Sequence, residues 1–219
     1  MARVKGSEFV PALGFHWLTA LYDPLIRRWA AATRIRASVI DALELEPGMR
    51  ILELGAGPGR LAIQIKRAHP EVTVDAIDID ARMISRARQN AERAQVDVTF
   101  READMTSHAH VDARGYDRVY STMTFHHLAP AAKDRALATA HHALDDAGHA
   151  VVADFSRPRD PLQWALFAWI QQPLDGFTNT RPHRDGRFEH ALRSAFPDVR
   201  SSAVSRTIAG TIETFVCRP

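Results

Sequence analysis

The sequence predicts an α/β fold: a mostly parallel sheet with a C-terminal antiparallel hairpin and helices on both faces. Three observations carry this expectation. After residue 47, short apolar runs alternate with longer helical patterns, as parallel strands joined by crossover helices require. A glycine-rich turn, Gly55-Ala56-Gly57-Pro58-Gly59, follows the first of these runs and opens a helix. Near the end, two β-rich runs at 199–205 and 211–217 flank Gly210 and read as a hairpin.

Taken in order, the strands are expected at 50–54, 73–77, 98–101, 116–121 and 150–154, and the hairpin completes a seven-stranded sheet. Between them, 80–95 reads as a helix with Asp80 as N-cap and an apolar stripe of Met83, Ile84, Ala87 and Ala91. A second helix, 130–145, starts with Pro130 in its first turn and stops before Gly148. Two regions break this rhythm. Residues 1–46 carry Phe15, Trp17, Leu18, Leu21, Tyr22 and Trp29 and are expected as a helical cover over the strand ends of a domain spanning 47–219. Within that domain, 156–186 reads as an insert in which Pro158, Pro161, Pro173 and Pro182 bracket one apolar helix, 162–170, followed by a polar loop. Its Trp164, Phe167, Trp169 and Phe177 would give a ligand pocket an aromatic wall, and Arg181, His183 and Arg184 follow on the loop.

Composition narrows the function classes. A chain of 219 residues suffices for one domain with a real core. The single cysteine, Cys217, excludes an internal disulfide and a Cys-x-x-Cys metal site and is expected in a buried strand. The formal charge of +2 comes from dispersed arginines, so a nucleic-acid partner is not demanded. Among 11 histidines, the doublets His126-His127 and His141-His142 lack a partner at the HExxH spacing, and no metal is expected. The longest uncharged apolar run, 164–170, is too short for a membrane span. Glu8 precedes any apolar segment of signal-peptide length, so a cytoplasmic location is expected.

Chemistry concentrates around the glycine turn. Its end, Gly59-Arg60-Leu61, lacks the Gly-Lys-Ser/Thr with which a P-loop grips phosphate and magnesium. A dinucleotide fingerprint would place glycine at position 60, where Arg60 stands. The acid before the turn, Glu53, would repel a pyrophosphate but suits a cationic ligand. S-adenosylmethionine (SAM) carries an ammonium and a sulfonium and no phosphate.

An acid followed by G-x-G-x-G resembles the first motif of the class I SAM-dependent methyltransferases, and the likeness runs from about Leu45 to the end. It implies the Rossmann-like methyltransferase fold, SAM as cofactor and S-adenosyl-L-homocysteine as product. Glu53, Gly55, Gly57 and Gly59 then form the cofactor turn, and Asp78 grips the ribose hydroxyls. Asp104 in "EADM" meets the adenine amino group, and Ile79, Met83, Met105 and Ser121 extend the same site.

The segment "YSTMTFHHL" is similar to the family's stretch bordering the methyl-transfer site. It lacks the Asn/Asp-Pro-Pro-Tyr/Phe motif of amide and adenine methylation, and it lacks the cysteine that cytosine C5 chemistry needs. "GHAVVADFSRP" and "LTALYDPLIRRW" are similar to the ubiquinone and menaquinone biosynthesis methyltransferases and related small-molecule enzymes. The implied reaction is methyl transfer to an O, N or C nucleophile of a small aromatic or lipid-like acceptor. A non-catalytic SAM-binding regulatory subunit and an RNA methyltransferase stay open as alternatives. His126 or His127 is the candidate general base and Tyr22 the next candidate, with alignment alone as the rival mechanism.

Overall fold

A computed structural model describes residues 30–207 and 209–219. The expected N-terminal cover therefore lies mostly outside the described residues, Tyr22 with it. Helix α1 (Ala30–Leu43) is the part of it that is seen. Strands β1 (Arg50–Leu54), β2 (Thr73–Asp78), β3 (Thr99–Glu102), β4 (Tyr116–Thr122) and β5 (Leu144–Phe155) pair in parallel. A hairpin of β6 (Asp198–Thr207) and β7 (Gly210–Arg218) joins antiparallel to β5. The sheet order is β3-β2-β1-β4-β5-β7-β6. The connections diverge between β1 and β4, and such a switch point opens a crevice at the carboxyl ends of the strands.

Alternation along each central strand builds a core on both faces. Ile51, Val151 and Ala153 pack with Val39 and Leu43 of α1, with Leu61 and Ile65 of α2 (Arg60–Ala68), and with Ile84 and Ala87 of α3 (Ala81–Ala94). Leu52, Leu54, Ala150 and Val152 join the opposite cluster, with Ala136, Leu137 and Ala140 of α4 (Pro130–Ala143) and Phe188 and Leu192 of α8 (Arg187–Ala195). Each fully buried Leu, Ile or Val contributes about 1.5–3 kcal/mol. Asp80 caps α3 by accepting the Arg82 N–H at 2.8 Å. Cys217 is buried in β7, and among the described residues no helix is long and apolar enough to cross a membrane.

Three elements differ from the sequence expectation. Helix α4 stops at Ala143, and β5 starts at Leu144, six residues before the expected strand, because Leu144 already pairs with Tyr116 ahead of a register irregularity. The segment read as a polar loop contains α7 (Phe177–Arg184), and α8 follows it. Thr, Asn and Pro argue against a helix there. Tertiary hydrogen bonds override them: Asn179 Nδ2 donates to His127 O at 2.9 Å, and His183 Nδ1 bonds Phe155 O at 2.6 Å.

The insert helix also continues past 170. After α5 (Pro161–Leu166) comes a π-turn at Phe167–Gln171 and then α6 (Gln172–Asp175). Pro173 has no N–H for the carbonyl four residues back, and its ring would crowd that carbonyl. The preceding turn widens, with the Gln172 N–H reaching Phe167 O. Of the four aromatic residues expected to line a pocket, Phe167 alone is buried, its ring 5.4 Å from Phe155. Trp164, Trp169 and Phe177 are exposed.

Candidate active site

The glycine turn sits where β1 leaves the sheet. Gly55 N–H and Ala56 N–H both donate to Ile77 O at 2.9 Å, which folds the turn across the end of β2. Gly57 has φ 51°, and a Cβ built there meets no atom within 4 Å, so its face is open to a ligand. Gly59 is different: a Cβ there would lie 2.6 Å from Phe100, so this glycine serves helix–strand packing.

Asp78 closes β2 beneath the turn. Its Oδ2 accepts the Gly57 N–H at 2.7 Å and its Oδ1 accepts the Asp80 N–H at 2.9 Å. Burial raises its pKa, with these backbone hydrogen bonds pulling the other way. Each carboxylate oxygen keeps a second lone pair, so two hydroxyls of a ribose fit this acceptor. Ile79 and Met83, both partly buried, lie just beyond it. Asp104, after β3, accepts the Thr106 N–H at 2.8 Å and stands beside the buried Met105.

Two of the predicted cofactor residues lie below this surface. Glu53 is buried, with the Tyr120 hydroxyl donating to it at 3.3 Å, and burial lifts its pKa to about 8. Ser121 is buried with its hydroxyl donating to Leu54 O at 2.8 Å, tying β4 to β1. Both support the turn from within the sheet.

Past β4 the chain reverses at Met123, held at φ 55°, with its N–H on Ala153 O at 2.8 Å. This left-handed residue delivers the next turn, Phe125–His127, over the end of β5. There Asp154, fully buried, accepts from Thr124 N–H at 3.0 Å, from Phe155 N–H at 2.7 Å and from His126 Nδ1 at 2.8 Å. Burial opposes the charge of both side chains. The His126 charge and hydrogen bond nevertheless hold the Asp154 carboxyl well below its usual range, and Asp154 in turn raises His126.

His127 is pushed well below the ordinary imidazole value, first by burial and then by the neighbouring His126. His183 is lowered to about 3, chiefly by burial, and its Nε2 has no hydrogen-bond partner. Lys133, also buried, donates to the carbonyls of Leu128 and Asn179, and burial lowers it to about 8. From the insert, Asp175 Oδ2 comes to 3.5 Å from His126 Nε2, and Asp175 Oδ1 to 3.7 Å from His127 Nδ1.

The structure thus gathers the glycine turn, Asp78, Ile79, Met83, Asp104 and Met105 along one edge, with His126 and His127 beside them. Sequence reasoning missed Asp154, Asp175 and Lys133. A charged residue ending an otherwise apolar run marks Asp154, but no local signal marks the other two.

Residues 51–148 match a family described as a methyltransferase domain. The chain is 33% identical over 147 residues to the demethylmenaquinone methyltransferase of Thermus thermophilus, covering 66% of this chain and 65% of the relative. It is 32% identical over 123 residues to ribosomal RNA small subunit methyltransferase B of Xanthomonas campestris pv. campestris, covering 46% of this chain and 28% of the relative. The chain therefore spans less than two-thirds of the length of these curated relatives. A TehB-like SAM-dependent methyltransferase from Corynebacterium glutamicum superposes with TM-score 0.60 at 17% identity, covering 92% of this chain and 100% of that one. The likeness to that solved structure concerns the fold, and the family match falls on the segment from β1 to the start of β5, where the glycine turn and Asp78 lie. Residues 51–148 thus match a methyltransferase domain, and over that segment the chain is similar to the class I SAM-dependent methyltransferases.

Proposed function

We propose that this protein transfers the methyl group of SAM to an O, N or C nucleophile of a small aromatic or lipid-like acceptor. One observation carries the reading. Thr124 contacts both sides, its Oγ1 lying 3.2 Å from Gly55 O and from Thr122 O and its N–H donating to Asp154 at 3.0 Å. A single residue thus fixes the cofactor turn and the His126–Asp154 pair relative to each other, and displacement at a sulfonium methyl demands that alignment.

In this reading the Gly57 face admits the cofactor, Asp78 takes the ribose hydroxyls, and Asp104 meets the adenine amino group. Ile79, Met83 and Met105 pack around the base, while Glu53, Gly55, Gly59 and Ser121 hold the turn in shape. When bound, SAM supplies an electrophilic methyl on sulfur. The acceptor lies against the wall of His126, His127 and Asp175, which activates its nucleophile. The insert at 156–186 supplies Asp175 to that wall.

A small acceptor is favoured by the relatives named for demethylmenaquinone. It is favoured also by the burial of Cys217 in β7, which leaves no described thiol for cytosine C5 chemistry. The test is to add purified protein and methyl-labelled SAM to cell extract, then separate metabolites, RNA and protein before counting label. Label in the metabolite fraction supports the reading. Label in RNA would instead favour an RNA methyltransferase, and SAM binding without label transfer would favour a regulatory subunit.

A further inference from the structure

We propose that His126, His127 and Asp175 bind a divalent first-row cation, with Zn²⁺ as the representative ion, beside the acceptor position. This deepens the methyltransferase reading and rests on it for the ion's role, though the site itself stands on geometry alone.

One ligand atom from each of the three residues lies within 4.8 Å of the others. The individual gaps of 3.5 Å (His126 Nε2 to Asp175 Oδ2) and 3.7 Å (His127 Nδ1 to Asp175 Oδ1) are too long for good hydrogen bonds. They come close to the separation of donors that share one ion, since tetrahedral bonds of about 2.0–2.2 Å place ligand atoms about 3.3–3.6 Å apart, and each histidine faces a different oxygen of Asp175. The donors therefore face each other across an ion-sized gap.

The surroundings orient these donors as a metal site requires. Asp154 accepts the His126 Nδ1–H at 2.8 Å, so when the ring is neutral its lone pair is on Nε2, the nitrogen that faces Asp175. A carboxylate behind a ligating histidine fixes both its tautomer and its ring plane. Gln171 on the π-turn donates to Asp175 Oδ2, holding that carboxylate in place. The ammonium of Lys133 is directed at the Leu128 and Asn179 carbonyls. Two imidazoles and one carboxylate suit Zn²⁺ and its neighbours, and three protein ligands leave a position open for an acceptor oxygen. No metal was expected from the sequence because the third ligand comes from the insert, far from the doublet in the chain.

An acceptor hydroxyl at the open position would lose its proton to solvent more readily. Its oxygen then forms the bond to the methyl carbon, and the electron pair of the broken carbon–sulfur bond stays on sulfur. His126 in this arrangement serves as a ligand, and Asp154 is its positioning residue.

The test is calorimetric titration of ZnCl₂ into chelator-stripped full-length protein, with Co²⁺ visible absorption as a second probe. We expect one tight site in the wild type. Asp175→Asn and His127→Ala should each weaken it about 100-fold or more, and Asp154→Asn about 10- to 100-fold. His127 is partly exposed, so its variant gives the same reading should Asp175→Asn fail to fold. Wild-type protein that binds Zn²⁺ no tighter than His127→Ala overturns the site. SAM titrated into the same samples separates the two proposals: failure of SAM binding overturns the methyltransferase reading and leaves the metal result standing.

Discussion

The central strands carry a charged cluster at each end, and the two clusters are built differently. At the amino ends, Arg50 Nη2 meets Asp75 at 2.6 Å and Asp112 at 2.9 Å. The Tyr116 hydroxyl donates to Asp75 at 2.8 Å, and the Arg50 N–H donates to Asp117 at 2.6 Å. Every link is a proper hydrogen bond. At the carboxyl ends, His126 and Asp154 are bonded, but Asp175 stands 3.5–3.7 Å from the two histidines. Among the described residues, the buried Thr122 Oγ1, Ser156 Oγ and His183 Nε2 of that same end have no partner, against one such atom, Arg101 Nε, beside the amino-end cluster. A closed network spends its bonding capacity on the fold, whereas an open one keeps lone pairs for something that arrives. The amino end braces the sheet, and the carboxyl end is where we propose the site.

Breaking the two ends should therefore give different losses. The largest effect is expected from Gly57→Val, which puts a β-branched residue at φ 51° on the open face of the turn. SAM affinity by calorimetry should fall at least about 100-fold.

Next comes Asp154→Ala. Removing one partner of a buried pair costs about 3–5 kcal/mol of stability and frees the His126 ring. Turnover of labelled SAM should drop about 100-fold or more while SAM affinity is largely kept.

Glu53 sharpens the contrast through pH. Its carboxyl sits at about 8 in the folded protein against 4.5 for the free group, because burial disfavours the charge. The folded state thus holds a proton that the unfolded state has released between these values, so stability falls as pH rises from about 4.5 through 8. Glu53→Gln should flatten that slope by on the order of 2 kcal/mol, read by urea unfolding at pH 5 and pH 9. A slope retained in the variant assigns it to another group.

The smallest effect should come from the brace. Asp75→Ala removes two side-chain bonds and is expected to lower stability by about 1–3 kcal/mol without changing SAM affinity or turnover. A loss of turnover at unchanged stability would erase the distinction between the ends.

The residues proposed to hold SAM could be ordered from the sequence because they lie next to strand ends. An apolar run stops at Glu53-Leu54, glycines follow, and Asp78 ends the next run, so local pattern alone orders them. The fold was legible for the same reason, with β1 starting and ending at the expected residues and Asp80 capping α3.

The cluster of His126, His127 and Asp175 was not. Asp175 follows the π-turn ahead of Pro173, and α7 is tied down by the tertiary partners of Asn179 and His183. Lys133 sits on what looks like an ordinary amphipathic helix, and its burial depends on carbonyls from two other segments. Such contacts have no period or spacing to announce them.

Calorimetric titration of SAM into wild-type protein and Asp78→Ala tests most directly whether the carboxyl-end edge holds SAM through Asp78. One site is expected in the wild type and a loss of about 1.5–3 kcal/mol in the variant, roughly 10- to 150-fold in affinity, with the fold intact. Equal affinity in the two proteins, or no binding to the wild type, would contradict it.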